Sequence, residues 1–214
     1  MKGIVLYGPS FAPYTEKVRR ALLLKGLEFE FREPAGPEDY ARWSPKTGLL
    51  PVLQLDGEKI PDSTDILFRL DELYPDPPLL SPDARIAGQQ RQLEDWADEN
   101  LSWFFNKWRR SQPDQAASEA PTGLRFLWAW LRAGTWERPE ISIVRDLAAR
   151  LDDLVGFLGA RSFFYSDRLS MADLSVYSML ITMQRNFIPG SAELLAGRPG
   201  LVDFMHRVED ETEG

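Results

Sequence analysis

The sequence predicts an α/β plus all-α protein: a β-α-β-α-β-β-α domain over residues 1–75 and a helical-bundle domain over 83–214. Three observations predict it. Short apolar strands alternate with helical stretches only in the first third of the chain. Four prolines then crowd positions 75–82, marking 76–82 as a stiff linker and domain boundary. Beyond the linker only helical periodicity is found, with no strand pattern.

Each element has a local reason. Residues 2–7 form a short apolar strand that Gly8-Pro9-Ser10 ends. From Pro13 to Lys25 the apolar positions Val18, Ala21, Leu22 and Leu24 are spaced for a helix, stopped by Gly26. Pro13 suits the first turn, where a missing N–H is no loss. Leu27-Glu28-Phe29-Glu30-Phe31 alternates with period two and reads as a second strand; a short helix over 37–43 follows. An apolar strand enters at Pro51, turns at Asp56-Gly57 and returns into a helix from Ser63 to Tyr74. A proline at a strand entrance belongs to an edge or a turn, with a cis bond in some cases, and leaves the backbone of Leu50 free for another partner. In the second domain helices are expected over about 83–110, 121–134, 140–158, 171–188 and 198–211. Ser170-x-x-Asp173 opens the fourth of these as a capping box, a structural device and not a catalytic dyad.

Composition narrows the chemistry. The chain has 214 residues and a net charge of −8, which argues against nucleic acid or an anionic membrane as partner, since both call for a cationic face. It has no cysteine and a single histidine, His206, so disulfides, thiolate nucleophiles and thiolate metal sites are excluded, and a zinc site or histidine triad is not expected. Met1–Tyr7 is too short for a signal peptide, and the longest uncharged helical run, Leu174–Gln184, is too short to span a bilayer. The cytoplasm is the expected location.

The layout and its motifs resemble the glutathione transferases. Leu6-Tyr7-Gly8 followed by Ala12-Pro13-Tyr14-Thr15-Glu16-Lys17-Val18-Arg19 resembles the first strand and helix of the serine and cysteine classes. Leu50-Pro51-Val52-Leu53 resembles the family's cis-proline segment, Asp62-Ser63 its acidic-Ser pair, and Asp167–Asp173 its helix-capping segment. The resemblance implies a thioredoxin-like N-terminal domain, a homodimer, glutathione as substrate or ligand without a metal, and a hydrophobic small molecule as second substrate. It also implies that the Leu50 backbone, at Pro51, pairs with the cysteinyl part of glutathione, while Asp62 and Ser63 hold the γ-glutamyl end. A helix N-terminus binds the carboxylate and the adjacent acid binds the α-amino cation. Many relatives carry Lys where Leu49 stands, leaving Arg42 and Lys46 as candidates for the glycyl carboxylate.

The thiol-activating position departs from the family. Alignment on Pro13-Tyr14 and Val18-Arg19 puts Ala12 where a Ser or Cys is usual, and alanine neither donates a hydrogen bond nor attacks. Ser10 and Tyr7 are the nearest candidate hydroxyls; backbone amides and the first helix's positive end are the third possibility. Phe11, Ala12, Phe105 and Trp108 are candidates for the hydrophobic co-substrate site; Trp108 follows the helical apolar stripe, while Phe105, Phe126 and Trp130 fall off the stripes. Conjugation of glutathione to an electrophile, or reduction of a peroxide, is the expected reaction. The alternatives are a non-catalytic glutathione binder and a protein-interaction adaptor that uses the fold alone.

Overall fold

A computed structural model of the chain describes residues 3–111 and 139–213. The expected helix over 121–134, with Phe126 and Trp130, lies outside the described residues. The first part is β1 (Ile4–Tyr7), α1 (Pro13–Leu24), β2 (Phe29–Arg32), α2 (Pro37–Trp43), β3 (Val52–Leu55), β4 (Glu58–Pro61) and α3 (Ser63–Leu73). It is the expected element order, with β2 displaced one to two residues toward the C-terminus. The strands form one sheet in the order β2-β1-β3-β4. β1 pairs parallel with β2, as a helical crossover requires, and antiparallel with β3; β3 and β4 form the antiparallel hairpin.

The two-residue period of the strands sorts their side chains between two cores. Leu6 and Leu53 face α1 and α3, among Val18, Leu22, Ile66 and Leu70. Val5, Tyr7 and Val52 face the opposite way, against Trp43 of α2. Gly26, at φ 62°, ends α1 in the left-handed conformation that L side chains avoid, and its amide donates to the Leu23 carbonyl at 2.9 Å.

Among the described residues the second part has α4 (Ala84–Trp96), α5 (Ser102–Ser111), α6 (Pro139–Leu158), α7 (Met171–Gln184), α8 (Ser191–Ala196) and α9 (Pro199–Glu213). α4 and α5 follow one another through a π-turn at Ala97–Leu101, where the sequence pattern reads as unbroken α-helix. α8 falls in a stretch rich in Gly, Pro and Ser, read from sequence as a break between helices, and α7 ends at Gln184 rather than 188. α7 is buried on every side from Met171 to Met183 and packs against α1, so it is the pillar joining the two parts. Arg20 of α1 strengthens that contact. Its guanidinium donates to the Tyr177 hydroxyl at 2.9 Å and the Thr212 hydroxyl at 2.7 Å, fastening α7 and α9 to α1.

The proline-rich connection is held as tightly. Lys25 Nζ donates to the Pro77 carbonyl at 2.8 Å and to Asp71 Oδ1 at 3.0 Å, and the same Asp71 oxygen accepts the Leu79 amide at 2.7 Å. Leu79 is fully buried, and its carbonyl accepts the Met171 amide at 2.8 Å. Among the described residues no helix is long and apolar enough to cross a membrane.

Candidate functional site

Sheet register gathers the site. Tyr7, Val52 and Pro61 stand side by side across β1, β3 and β4. The segments that leave these three residues therefore emerge together at one end of the sheet: the Gly8–Ala12 loop into α1, the Leu50-Pro51 entrance to β3, and Asp62-Ser63 at the head of α3.

The Leu50–Pro51 peptide is cis. Leu50 lies beyond the ladder, half-buried against the Tyr7 and Trp43 core. Among the described residues its backbone N–H and C=O make no hydrogen bond, so both are free to pair with an extended ligand strand.

Asp62 is the N-cap of α3, and its Oδ1 accepts the amides of Thr64 at 2.9 Å and Asp65 at 3.2 Å. Its backbone, at φ 81° and ψ 123°, lies outside the ordinary left-handed well. Such a conformation costs about 1–3 kcal/mol for a non-glycine residue and concentrates at ligand-binding positions. The side chain is exposed, so a carboxylate stands at the mouth of the site. Ser63 behind it is 6% exposed, and its hydroxyl makes no hydrogen bond among the described residues.

A buried ionic cluster supports this corner. Lys17 of α1, fully buried, donates to Glu94 Oε1 at 2.7 Å and Asp98 Oδ2 at 2.8 Å. Thr64, in the first turn of α3, donates its hydroxyl to the same Glu94 oxygen at 2.6 Å. The cluster thus ties α1, α3 and α4 together directly beneath Asp62-Ser63. The π-turn serves it: the Asp98 carbonyl, displaced from the regular ladder, accepts the Ser102 hydroxyl and, at 3.3 Å, the Tyr14 hydroxyl. Sequence reasoning missed the cluster. The available signal was a Lys and a Glu on otherwise apolar stripes, Lys17 four residues before Ala21 and Glu94 three before Ala97.

Burial pushes the Asp98 carboxyl up from 3.8 to about 6, although Lys17 draws it back. An acid whose folded pKa is raised holds its proton more tightly folded than unfolded. Its contribution therefore favours folding below about pH 4 and is lost as pH rises from about 4 to about 6. In urea denaturation, the stability of the wild type relative to Asp98→Asn should fall by about 2–3 kcal/mol from pH 4 to pH 7. Parallel pH curves for the two proteins would remove Asp98 as the titrating group.

Ala12 is the N-cap of α1 and supplies no side-chain cap; Pro13 occupies the first turn. Among the described residues no acceptor meets the amides of Tyr14 and Thr15, so α1 presents an open, positive N-terminus. Ser10, on the loop before it, is engaged elsewhere: its amide and hydroxyl both donate to Glu33 Oε1, at 2.8 and 2.6 Å. The Tyr7 hydroxyl donates to Gln54 Oε1 at 3.2 Å on the face covered by α2, opposite α1.

Beside the α1 N-terminus lies an apolar cavity of about 200 Å³. It brings together Phe11, Ala12 and Phe105 from the sequence reading, but not Trp108, which is half-buried on α5 outside the lining. Pro13, Tyr14, Ser102, Asn106 and Phe187 complete the wall. Phe187, whose ring centroid lies 5.4 Å from that of Phe105, falls within the helix expected over 171–188, but the helix ends at Gln184 and leaves it in the following turn. Arg42 and Lys46 are not among the residues lining this cavity. Arg42 is ion-paired with Asp39 of its own helix, and Lys46 is exposed without a partner among the described residues. Among the described residues no group of acids and histidines is placed to hold a metal ion.

Comparison with known proteins bears on the same two halves. The family model "Glutathione S-transferase, N-terminal domain" matches residues 6–78, and "Glutathione S-transferase, C-terminal domain" matches 140–213. The isoprene-epoxide–glutathione S-transferase of Rhodococcus sp. (strain AD45) is 28% identical over 95% of this chain and 93% of its own length. A probable glutathione S-transferase, GSTU1, of Oryza sativa subsp. indica is 36% identical over 76% of this chain and 65% of its own. The crystal structure of a glutathione S-transferase from Rhodospirillum rubrum F11 superposes with a TM-score of 0.74, covering 96% of this chain and 87% of that one. At 22% identity this last likeness is one of fold.

Proposed function

We propose that this chain, which belongs to the glutathione S-transferase family, binds glutathione at the open end of its sheet and transfers the glutathione sulfur to an apolar electrophile. Its function is glutathione S-transferase-like, and the adaptor reading is not favoured. The observation that carries the proposal is the shared register of Tyr7, Val52 and Pro61, which sets a free backbone strand, an acid-capped helix and an uncapped helix beside one apolar cavity.

In this reading the Leu50 N–H and C=O pair with the cysteinyl residue. Ser63 and the first turn of α3 take the γ-glutamyl carboxylate, while Asp62 takes the α-amino cation. Lys46 is the free cation nearest in sequence for the glycyl carboxylate, with Arg42 reachable once it leaves Asp39. The thiolate sits over the open N-terminus of α1, whose amides lower its pKa, since Ala12 offers no hydroxyl. The thiolate then attacks an electrophilic carbon held in the 200 Å³ cavity. A C–S bond forms, and the leaving atom departs with its bonding pair and takes a proton from water. We place the protein in the cytoplasm as a homodimer, as is typical of the family.

Calorimetric titration tests the binding site. Glutathione should bind the wild type, and Asp62→Ala or Ser63→Ala should each weaken binding about tenfold or more, the size of a lost charge-assisted contact. No heat at millimolar glutathione would overturn the proposal. The thiol assignment is tested by the pKa of bound glutathione in Ser10→Ala and Tyr7→Phe. Both should leave it unchanged; a rise of a unit in either variant would return the role to that hydroxyl.

A further inference from the structure

Phe11 is a large apolar side chain left 63% exposed in a loop that enters the site. It lines both the cavity beside α1 and a second, larger one of about 440 Å³. The second chamber is walled by Pro9, Pro34 and Pro37, with Tyr40 of α2 and a rim at Ala35. No Lys, Arg or His is among its lining residues; the one charged group there is Glu33. One Glu33 oxygen accepts both donors of Ser10, and these hydrogen bonds hold the carboxyl below its ordinary range. The other oxygen has no partner among the described residues.

These features decide what the second chamber takes. Its fixed negative charge repels a carboxylate, so the glycyl end of glutathione is turned away, as is any acidic electrophile. Its proline and aromatic walls are rigid and apolar, fitted to a flat hydrocarbon group that gives up little entropy on binding. The chamber beside α1 lies below the roughly 300–1,000 Å³ range of cavities that hold drug-sized ligands. It accommodates the reacting portion of a substrate and little more.

We propose, on the premise that the protein binds glutathione as above, that the electrophile site is bipartite, with Phe11 as the partition between its halves. The substrate class is an elongated, uncharged electrophile with two apolar ring systems. One ring lies at the α1 N-terminus, where sulfur attacks, and the second lies across Phe11 in the proline-walled chamber.

Calorimetry with glutathione, S-benzylglutathione and S-(4-phenylbenzyl)glutathione tests this without requiring turnover. In the wild type the two-ring ligand should bind about tenfold more tightly than the one-ring ligand, the gain expected from burying a further ring. Ala35→Phe, which fills the second chamber from an exposed rim position, should abolish that advantage and leave glutathione and S-benzylglutathione unaffected. Tyr40→Ala should reduce the same advantage by removing a wall. Asn106→Trp, at the first cavity, should weaken both S-substituted ligands and spare glutathione. Equal affinities for the one- and two-ring ligands in the wild type, or an advantage that survives Ala35→Phe, would overturn the bipartite site while glutathione binding stands. Failure of glutathione itself to bind would overturn the prior reading, and this one with it.

Discussion

Replacing Lys17 with Met should lower the stability of the fold by about 3–5 kcal/mol and loosen the corner proposed to hold the γ-glutamyl end of glutathione. Lys17 is fully buried, Glu94 is 2% exposed, and the two meet at 2.7 Å. Taking charges out of water costs several kcal/mol per ion, and close opposite charges with further hydrogen bonds offset that cost. Methionine fills the volume but leaves Glu94 with only the Thr64 hydroxyl and Asp98 with no cation beside it. The urea midpoint should fall with little change in slope, which marks lost stability rather than a changed unfolded state. The deficit should shrink as pH falls below about 6, where Asp98, raised to about 6 by burial, is protonated and no longer needs its cation. The double variant Lys17→Met/Glu94→Leu should recover part of the loss, because an apolar replacement removes the orphaned charge. Glutathione affinity should not recover with it, since Thr64 loses its acceptor. A loss below 1 kcal/mol in Lys17→Met, or binding restored in the double variant, would show that the cluster does not position α3.

That cluster also marks where the sequence was silent. Periodicity separates Val5 and Tyr7 from Leu6, but it does not say which face α2 covers. Tyr7 is therefore a thiol-activating candidate in the sequence, whereas in the fold its hydroxyl donates to Gln54 on the face that α2 covers. Ser10 was legible as a loop hydroxyl, but its capture by Glu33, 23 positions away, is a tertiary event. The elements themselves were readable because each has local punctuation: Pro13 and Gly26 around α1, Asp56-Gly57 in the hairpin, Asp62 and Ser170 as caps. The π-turn has none, since Ala97–Leu101 suits an α-helix equally well, and only Lys17 and Tyr14 on a distant element give the bulge its purpose. Asp62-Ser63 and Leu50-Pro51 were legible for the opposite reason: a cap and a proline act within a few residues of themselves.

Asp173→Ala should be as damaging as the loss of Lys17, at about 3–5 kcal/mol, more than the roughly 0.5–2 kcal/mol of an ordinary helix cap. An ordinary cap is half in water, and its lost partners are rehydrated. Asp173 has no exposed surface; its carboxylate accepts the Ser170 amide at 2.8 Å, the Ser170 hydroxyl at 2.6 Å and the Phe164 amide at 2.7 Å. Alanine leaves all three donors unmet in a place water does not reach, each at about 1–3 kcal/mol. The consequence spreads, because the carboxylate joins the Phe163–Ser166 turn to the first turn of α7, the helix against which α1 packs. Asp173→Asn separates charge from geometry. Burial raises the Asp173 carboxyl to about 7, so a neutral side chain is tolerated, but the amide presents one acceptor oxygen to three donors. The Asn variant should therefore fall between wild type and Ala. If Asn and Ala are equally damaging, the ionised carboxylate is what α7 requires; if Ala costs less than 1 kcal/mol, the capping box is an ordinary cap and α7 is held by its apolar burial alone.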